Sequence, residues 1–277
     1  MNLLIASNLH LAIWLALAAV ALLVLPYVAL PLVIKRTFHT PAQPTVVPFD
    51  VAENPPPTEV AAFFGRVNNE LMAAGFQHVC YGVNANEFGN VTAFLMLSEN
   101  GRTDDAALSV VAYALPAAAQ QNNPVISDQL VSFRRRFTDG TEITTSNTNT
   151  PRIFAKVASK QVFRFPQVSN CRTLFALHLS AVNEFGRSAA MPLPRRDQMV
   201  DRLMEDMRTE TADQVATGYL QLNESRDKYV ATWKGAYLMT WPHLWPLKKW
   251  QQNSRQRRAA ALMRKWSVNL PDAQSAS

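Results

Sequence analysis

From Leu11 to Ile34 the chain runs through 24 residues without a single charge, and at 1.5 Å per residue a helix of that length spans about 36 Å. A bilayer's hydrocarbon core is about 30 Å thick, so the pattern predicts one membrane-spanning helix. Pro26 and Pro31 fall in its C-terminal third, where a spanning helix tolerates proline once the freed carbonyls find local partners. A cleaved secretory signal needs a basic leading region, and Met1 to His10 contains no Lys or Arg. Lys35 and Arg36 follow the span directly and none precede it. That asymmetry puts the N-terminus outside and the body on the cytoplasmic side.

The pattern then changes. Pro41, Pro44, Pro48, Pro55, Pro56 and Pro57 crowd residues 37–57, which predicts a stiff, extended spacer with few packed contacts. Thr58 is a candidate N-cap for an amphipathic helix in which Val60, Phe63, Phe64, Val67 and Leu71 form one apolar stripe up to a stop at Gly75. Strand-length apolar runs follow at Gln77–Val83, Val91–Leu97, Ala107–Leu115 and Leu130–Phe137, divided by turn signals at Asn86–Asn90, Glu99-Asn100-Gly101 and Asn122-Asn123-Pro124. A mostly antiparallel sheet is the economical reading.

The hairpin at Thr138-Asp139-Gly140 admits two registers. A two-residue Asp-Gly loop pairs Arg136 with Ile143 and so puts an apolar side chain on the arginine face. A three-residue loop with Gly140 in the left-handed bulge position pairs Phe137 with Thr141 and Arg135 with Ile143. Val131, Phe133, Phe137 and Ile143 then share one face, with Arg136 opposite Glu142 on the other. The bulged register is the prediction.

Ser169 is read as the N-cap of a second helix through Phe185, with Leu174, Leu177, Val182 and Phe185 inward and Gly186 as its stop. After a Pro-interrupted stretch, Met191 to Pro194, a third amphipathic helix covers 195–217, with Met199, Leu203, Met204 and Met207 on its apolar side. The expected class is α+β: a single N-terminal transmembrane helix, a mostly antiparallel sheet flanked by helices, and a basic C-terminal helix. In segments this gives an anchor at 1–36, a Pro-rich linker at 37–57, an α+β domain at 58–190, and a helical and hairpin region at 191–277.

Four of the six tryptophans, Trp233, Trp241, Trp245 and Trp250, fall in one short stretch beside Tyr229 and Tyr237. These side chains favour the headgroup level, where the ring buries and the polar edge stays wet. Lys248, Lys249, Arg255, Arg257, Arg258, Arg264 and Lys265 follow with no acidic residue between Leu247 and Trp266. Each basic residue near an anionic leaflet contributes about 1 kcal/mol. Trp241, Trp245, Lys248, Lys249, Arg255, Arg257 and Arg258 are therefore candidate contacts with an anionic lipid surface, the alternative being that the rings pack on the body and the arginines solvate. Together with the anchor this predicts a single-pass cell-membrane protein acting as an interaction or scaffold module with a protein partner.

Net charge of +6 and pI near 9.5 make acidic partners electrostatically possible without choosing among them. Gly218-Tyr219-Leu220-Gln221-Leu222 and Tyr229-Val230-Ala231-Thr232-Trp233-Lys234-Gly235 resemble the β-hairpin wing of winged-helix DNA-binding domains. That resemblance implies nucleic-acid binding by the C-terminal region. The helix before it carries Asp197, Asp201, Glu205, Asp206, Glu210 and Asp213, which repel phosphate where a recognition helix needs attraction. Nucleic acid is therefore not the expected partner.

Phosphate-cradling glycine loops, His-Glu-x-x-His, nucleophile elbows and Cys-x-x-Cys pairs are missing from the sequence. No cofactor or metal is expected, and an enzyme of unrecognised type is the alternative function. Cys80 and Cys171 are read as buried free thiols. Cys171 and His178 stand seven apart on a helix, about 10 Å along its axis, too far to share a metal whose ligands lie within about 4 Å of one another. Arg134 and Arg136, near the Thr144-Thr145-Ser146-Asn147 run, are candidate anion contacts, a solvated sheet face being the plainer reading. Asn90-Val91-Thr92 and Asn223-Glu224-Ser225 match a glycosylation pattern that has no meaning on a cytoplasmic body.

Overall fold

The computed structural model describes residues 14–15, 24–85, 91–114, 125–150 and 156–266. Among them no helix is long and apolar enough to cross a membrane. Within the stretch 11–34, residues 11–13 and 16–23 lie outside the described residues, as do the turns expected at Asn86–Asn90 and Asn122-Asn123-Pro124; residues 14–15 and 24–37 are helical, the latter forming α1.

The body is α+β. β2 (Val47–Phe49), β3 (Gln77–Ala85), β4 (Val91–Asn100), β5 (Asp105–Ala114), β6 (Val125–Arg136), β7 (Glu142–Ser146) and β8 (Lys160–Arg164) form a seven-stranded sheet in that order. Every neighbouring pair is antiparallel except β7 and β8. α2 (Thr58–Ala73) and α3 (Cys171–Phe185) cover one face, where Phe64, Leu71, Leu174 and Leu177 meet Met96, Val111 and Phe133. α4 (Met199–Ala216) covers the other, with Leu203, Met204 and Met207 against Ala93, Leu95 and Val110. Because both faces are covered, the strands alternate between two apolar surfaces, which accounts for their continuous hydrophobic runs.

The stripe expected on α2 is the buried one: Val60, Phe63, Phe64, Val67 and Leu71. Its cap lies one residue earlier, at Pro57, and Thr58 is already helical and makes no side-chain cap. Gly75 stops the helix with φ at +87°, and the Phe76 N–H closes the end on the Leu71 carbonyl at 3.0 Å. α3 begins two residues after Ser169: Asn170 is the cap, its side chain accepting from the Thr173 N–H at 3.0 Å. A second acceptor comes from α2, since Glu70 Oε2 takes the Cys171 N–H at 2.6 Å.

The bulged hairpin is present. Arg135 pairs with Ile143 and Arg136 with Glu142, the Phe137 N–H reaches the Thr141 carbonyl at 3.0 Å, and Gly140 takes φ +79°. Val131, Phe133, Phe137 and Ile143 are all buried.

Residues 37–57, expected as a spacer, instead supply two strands. β1 (His39–Pro41) joins β10 (Lys228–Ala231), which pairs with β9 (Leu220–Asn223), in a second, three-stranded sheet, and β2 closes the edge of the large one. Proline cannot donate to a ladder, and Pro41 and Pro48 both sit on edge strands, where one side needs no donor. Packing also crosses the expected boundary near residue 190. α4 lies on the large sheet, and α6 (Leu247–Lys265) puts Ala259 and Met263 into the core shared with α2 and α3.

Candidate membrane-facing site

The last turns of α1 are held by the small sheet. Ile34 and Phe38 pack against Leu220, Ala231, Ala236 and Met239, while Val24, Leu25, Val28, Leu30 and Val33 stay exposed. α5 (Trp233–Thr240) runs back along α1 in the opposite direction. At one end Lys35 Nζ lies 5.4 Å from the centre of the Trp233 ring. At the other the Trp241 indole N–H donates to the Tyr27 carbonyl at 3.0 Å, and the Tyr27 hydroxyl donates to the Trp245 carbonyl. Lys35 and Tyr27 are eight residues apart, as are Trp233 and Trp241, about 12 Å of helix in each case. The two segments therefore match in length as well as direction.

Close approach at the root of α5 depends on a glycine. A Cβ at Gly235 would stand 2.0 Å from the Tyr219 carbonyl oxygen. Thr232 caps the helix by accepting from the Gly235 N–H at 3.1 Å. Along α5, Trp233, Tyr237 and Trp241 follow at four-residue spacing with ring centres 6.4 and 4.8 Å apart.

Past α5 the chain turns at Trp241-Pro242-His243-Leu244-Trp245-Pro246 and enters α6. Trp241, Trp245 and Trp250 are 43%, 69% and 68% exposed. Trp241 and Trp245 are both bonded to Tyr27, so exposed tryptophans from a chain region more than 200 residues away stand next to a helix that leaves Val24, Leu25 and Val28 bare. Burial, and then the charges of Lys248 and Arg255, hold His243 below its ordinary value.

The seven candidate lipid contacts separate into three groups. Trp241, Trp245, Lys248 and Lys249 are exposed at the turn, and Arg257 is exposed on α6. Arg255 is tied to the body, where Nη1 donates to the carbonyls of Asn149 and Thr150 at 3.1 and 3.3 Å. Arg258 is exposed but lines a cleft beneath α6 together with Arg255. The C-terminal half of this helix packs on the core through Ala259 and Met263, and its N-terminal end leaves Trp250 exposed. Tyr27 was not singled out by sequence reasoning, and Lys35 only for the orientation of the span. Their signal is only that an aromatic and a cation stand at helical spacing in the last turns of an apolar run.

Arg134 and Arg136 are engaged with carboxylates. Asp206 of α4 takes both, at 2.6 and 2.5 Å, and Glu142 lies 3.4 and 3.1 Å from their Nε atoms. Burial alone would raise Glu142; the charges of Arg134, Lys160 and Arg136 outweigh it and hold the carboxyl below its usual range. A pocket of about 200 Å³ opens beside them under α4, walled by Leu97, Met191 and Leu203. The arginines thus dock a helix instead of a free anion. Between them Arg135 points to the opposite face and holds Asp105 with two bonds of 2.8 and 2.5 Å. Asp105 Oδ1 also lies 3.1 Å from His178 Nε2, and His178 Nδ1 meets the Thr145 hydroxyl at 3.0 Å.

The wing-like hairpin is β9 and β10, but β1 pairs along it as a third strand. The preceding helix, α4, has its apolar side on the sheet and Asp206 committed to two arginines. That helix is not free to enter a groove of DNA. Comparison of the chain with protein-family models, with curated proteins and with solved structures finds no match.

Proposed function

We propose that the protein is a single-pass membrane protein whose body rests on the cytoplasmic leaflet, pinned there by the tryptophan turn, and serves as an interaction module at that surface. The observation that carries this is the antiparallel seating of α5 on α1, which sets Trp241 and Trp245 at the level of Tyr27. If the span ends at Ile34, with Lys35 among the headgroups, Tyr27 lies about 10 Å deeper, and the turn reaches the interfacial zone that tryptophan prefers. Lys248 and Lys249 then extend their stems back to the headgroups. Two buried groups are poorly placed for catalysis, which supports a binding role. His178 is shut from solvent, and burial together with the Glu70 charge pushes the Cys171 thiol up to about 12, far from a nucleophile's working range at neutral pH.

The test uses the full chain in vesicles containing bromine-labelled acyl chains, which quench tryptophan at acyl depth. Strong quenching that falls clearly in the W241F/W245F variant is the expected result, with the protein resisting extraction by high salt and alkaline carbonate. Release by carbonate overturns the anchor. Quenching unchanged by the double substitution overturns the role of the turn. A reporter fused after Ser277 should be active in the cytoplasm, and activity on the other side reverses the orientation.

A further inference from the structure

A second cavity lies between the open edge of β8, the start of β9, α5 and α6, with a volume of about 1180 Å³. This is larger than the roughly 300–1,000 Å³ usual for small-molecule pockets. Lys156, Arg164, Lys234, Arg255 and Arg258 line it, and no acidic residue is among its described lining residues. The chain carries 21 acidic side chains against 27 basic ones, so five basic groups without one carboxylate is a segregated charge.

The way these cations are held sharpens the contrast. Arg134, Arg135, Arg136, Arg196 and Lys265 all meet carboxylates. Arg255 is fixed instead by neutral acceptors, the carbonyls of Asn149, Thr150 and Gln251, and its Nη2 is buried with no acceptor among the described residues. Lys234 is fixed by the Thr217 carbonyl at 2.9 Å and by the Tyr219 ring, 4.5 Å from its centre. Positioned but not neutralised, these groups project positive potential into a cavity with low-dielectric walls. Lys234 and Arg255 are thus held in place beside the exposed Lys156 and Arg258.

The other wall is apolar. Val162, Phe163, Leu238, Pro242, Trp250 and Leu262 line it. Pro242 and Trp250 belong also to the exposed tryptophan turn and the start of α6, so the cleft opens onto the surface proposed to face the bilayer. From this juxtaposition we infer that the cleft binds one phosphate-bearing lipid, its phosphate among Lys156, Lys234, Arg255 and Arg258 and its first chain carbons along Phe163, Leu238 and Trp250. Arginine supplies the fork that matches phosphate oxygens, and the apolar wall separates a lipid from free phosphate. The lipid source rests on the membrane reading above; the binding chemistry does not.

For that reason the decisive experiment is done without a bilayer. Full-length protein in non-ionic detergent is titrated with dihexanoyl phosphatidic acid, dihexanoyl phosphatidylcholine and inorganic phosphate, followed by calorimetry. Saturable binding of one phosphatidic acid is expected, at least tenfold tighter than either of the other probes. K156Q/R258Q changes two exposed residues and should weaken it tenfold or more, while R195Q, at an exposed arginine that does not line the cleft, should leave it unchanged. A smaller loss in K156Q/R258Q, at unchanged circular dichroism and melting, overturns the site. Equal binding of phosphatidylcholine overturns the charge recognition, and equal binding of inorganic phosphate overturns the lipid occupant. A single-stranded oligonucleotide that binds more tightly and is lost in the same variant assigns the cleft to nucleic acid and overturns the proposal. Failure of the carbonate and quenching tests with this titration intact would instead refute only the membrane placement.

Discussion

Replacing Asp105 with alanine should cost the protein a large share of its stability. Asp105 and His178 are both fully buried, and the Arg135 side chain is only 13% exposed. The substitution removes both acceptors of a guanidinium that has already lost its water, and one partner of a buried imidazole. Breaking a buried ion pair by removing one partner costs about 3–5 kcal/mol, while a folded domain's total margin is about 5–15 kcal/mol. Asp105→Ala should therefore lose about 3–5 kcal/mol in urea unfolding of the full chain in non-ionic detergent, followed by far-ultraviolet circular dichroism. Asp105→Leu combined with Arg135→Met removes both charges together, and its cost should fall well below the sum of the two single changes, because neither partner is left buried and unpaired. The pH dependence has a definite sign. Burial alone would raise the Asp105 carboxyl, but hydrogen bonds from His178 and Arg135 outweigh it and hold it below its ordinary value of 3.8. The unfolded chain then takes up the proton first, so the stabilisation is full above that value and is lost as pH falls toward the folded-state value. The parent should lose stability between about pH 5 and pH 3 more steeply than Asp105→Ala. A cost under about 1 kcal/mol, or single costs that simply add in the double variant, would refute the reasoning.

Two further outcomes follow from particular contacts. Gly235→Ala puts a methyl group against the Tyr219 carbonyl, so it should displace α5, lower the melting temperature by a loss of about 1–3 kcal/mol, and red-shift tryptophan emission; an unshifted spectrum and melt would mean that α5 does not need the close approach. Glu70→Ala removes the acceptor of the Cys171 N–H, which should cost about 1 kcal/mol. Burial is the first cause of the raised Cys171 thiol and Glu70 the second, so pH-dependent alkylation should report a value below about 12 that stays above the ordinary thiol range, and an unchanged value would remove Glu70 from the account.

Local structure was legible in the residues wherever a few neighbours decide it. The five-residue stripe of α2 recurs at helical spacing and is the buried set. The hairpin register followed from which side chains must share a face, because a one-residue slip exchanges every side chain between faces. Gly75 and Gly140 stand where a left-handed residue is required, and both take positive φ. The helix caps were each displaced by one residue, from Thr58 to Pro57 and from Ser169 to Asn170, because neighbouring positions compete for the first turn.

What tertiary structure decided is where the polar groups spend their hydrogen bonds. Arg134 and Arg136 read as a solvated face or an anion site because their partner, Asp206, lies 72 residues from Arg134 on a helix whose docking no local pattern specifies. Complementary signals were present, three successive arginines and an acidic helix, but charge attraction acts through space and carries no register along the chain. The Pro-rich segment looked like a spacer for the same reason: its three-residue strands are stable only against β3 and β10, formed much later in the sequence. The basic cleft is the extreme case. Lys156, Lys234 and Arg258 come from three separate parts of the chain, and composition cannot distinguish cations that face carboxylates from cations that face one another across a cavity. Side-chain periodicity is set by backbone geometry within a few residues, whereas a site is set by which distant elements pack, and only the folded chain contains that information.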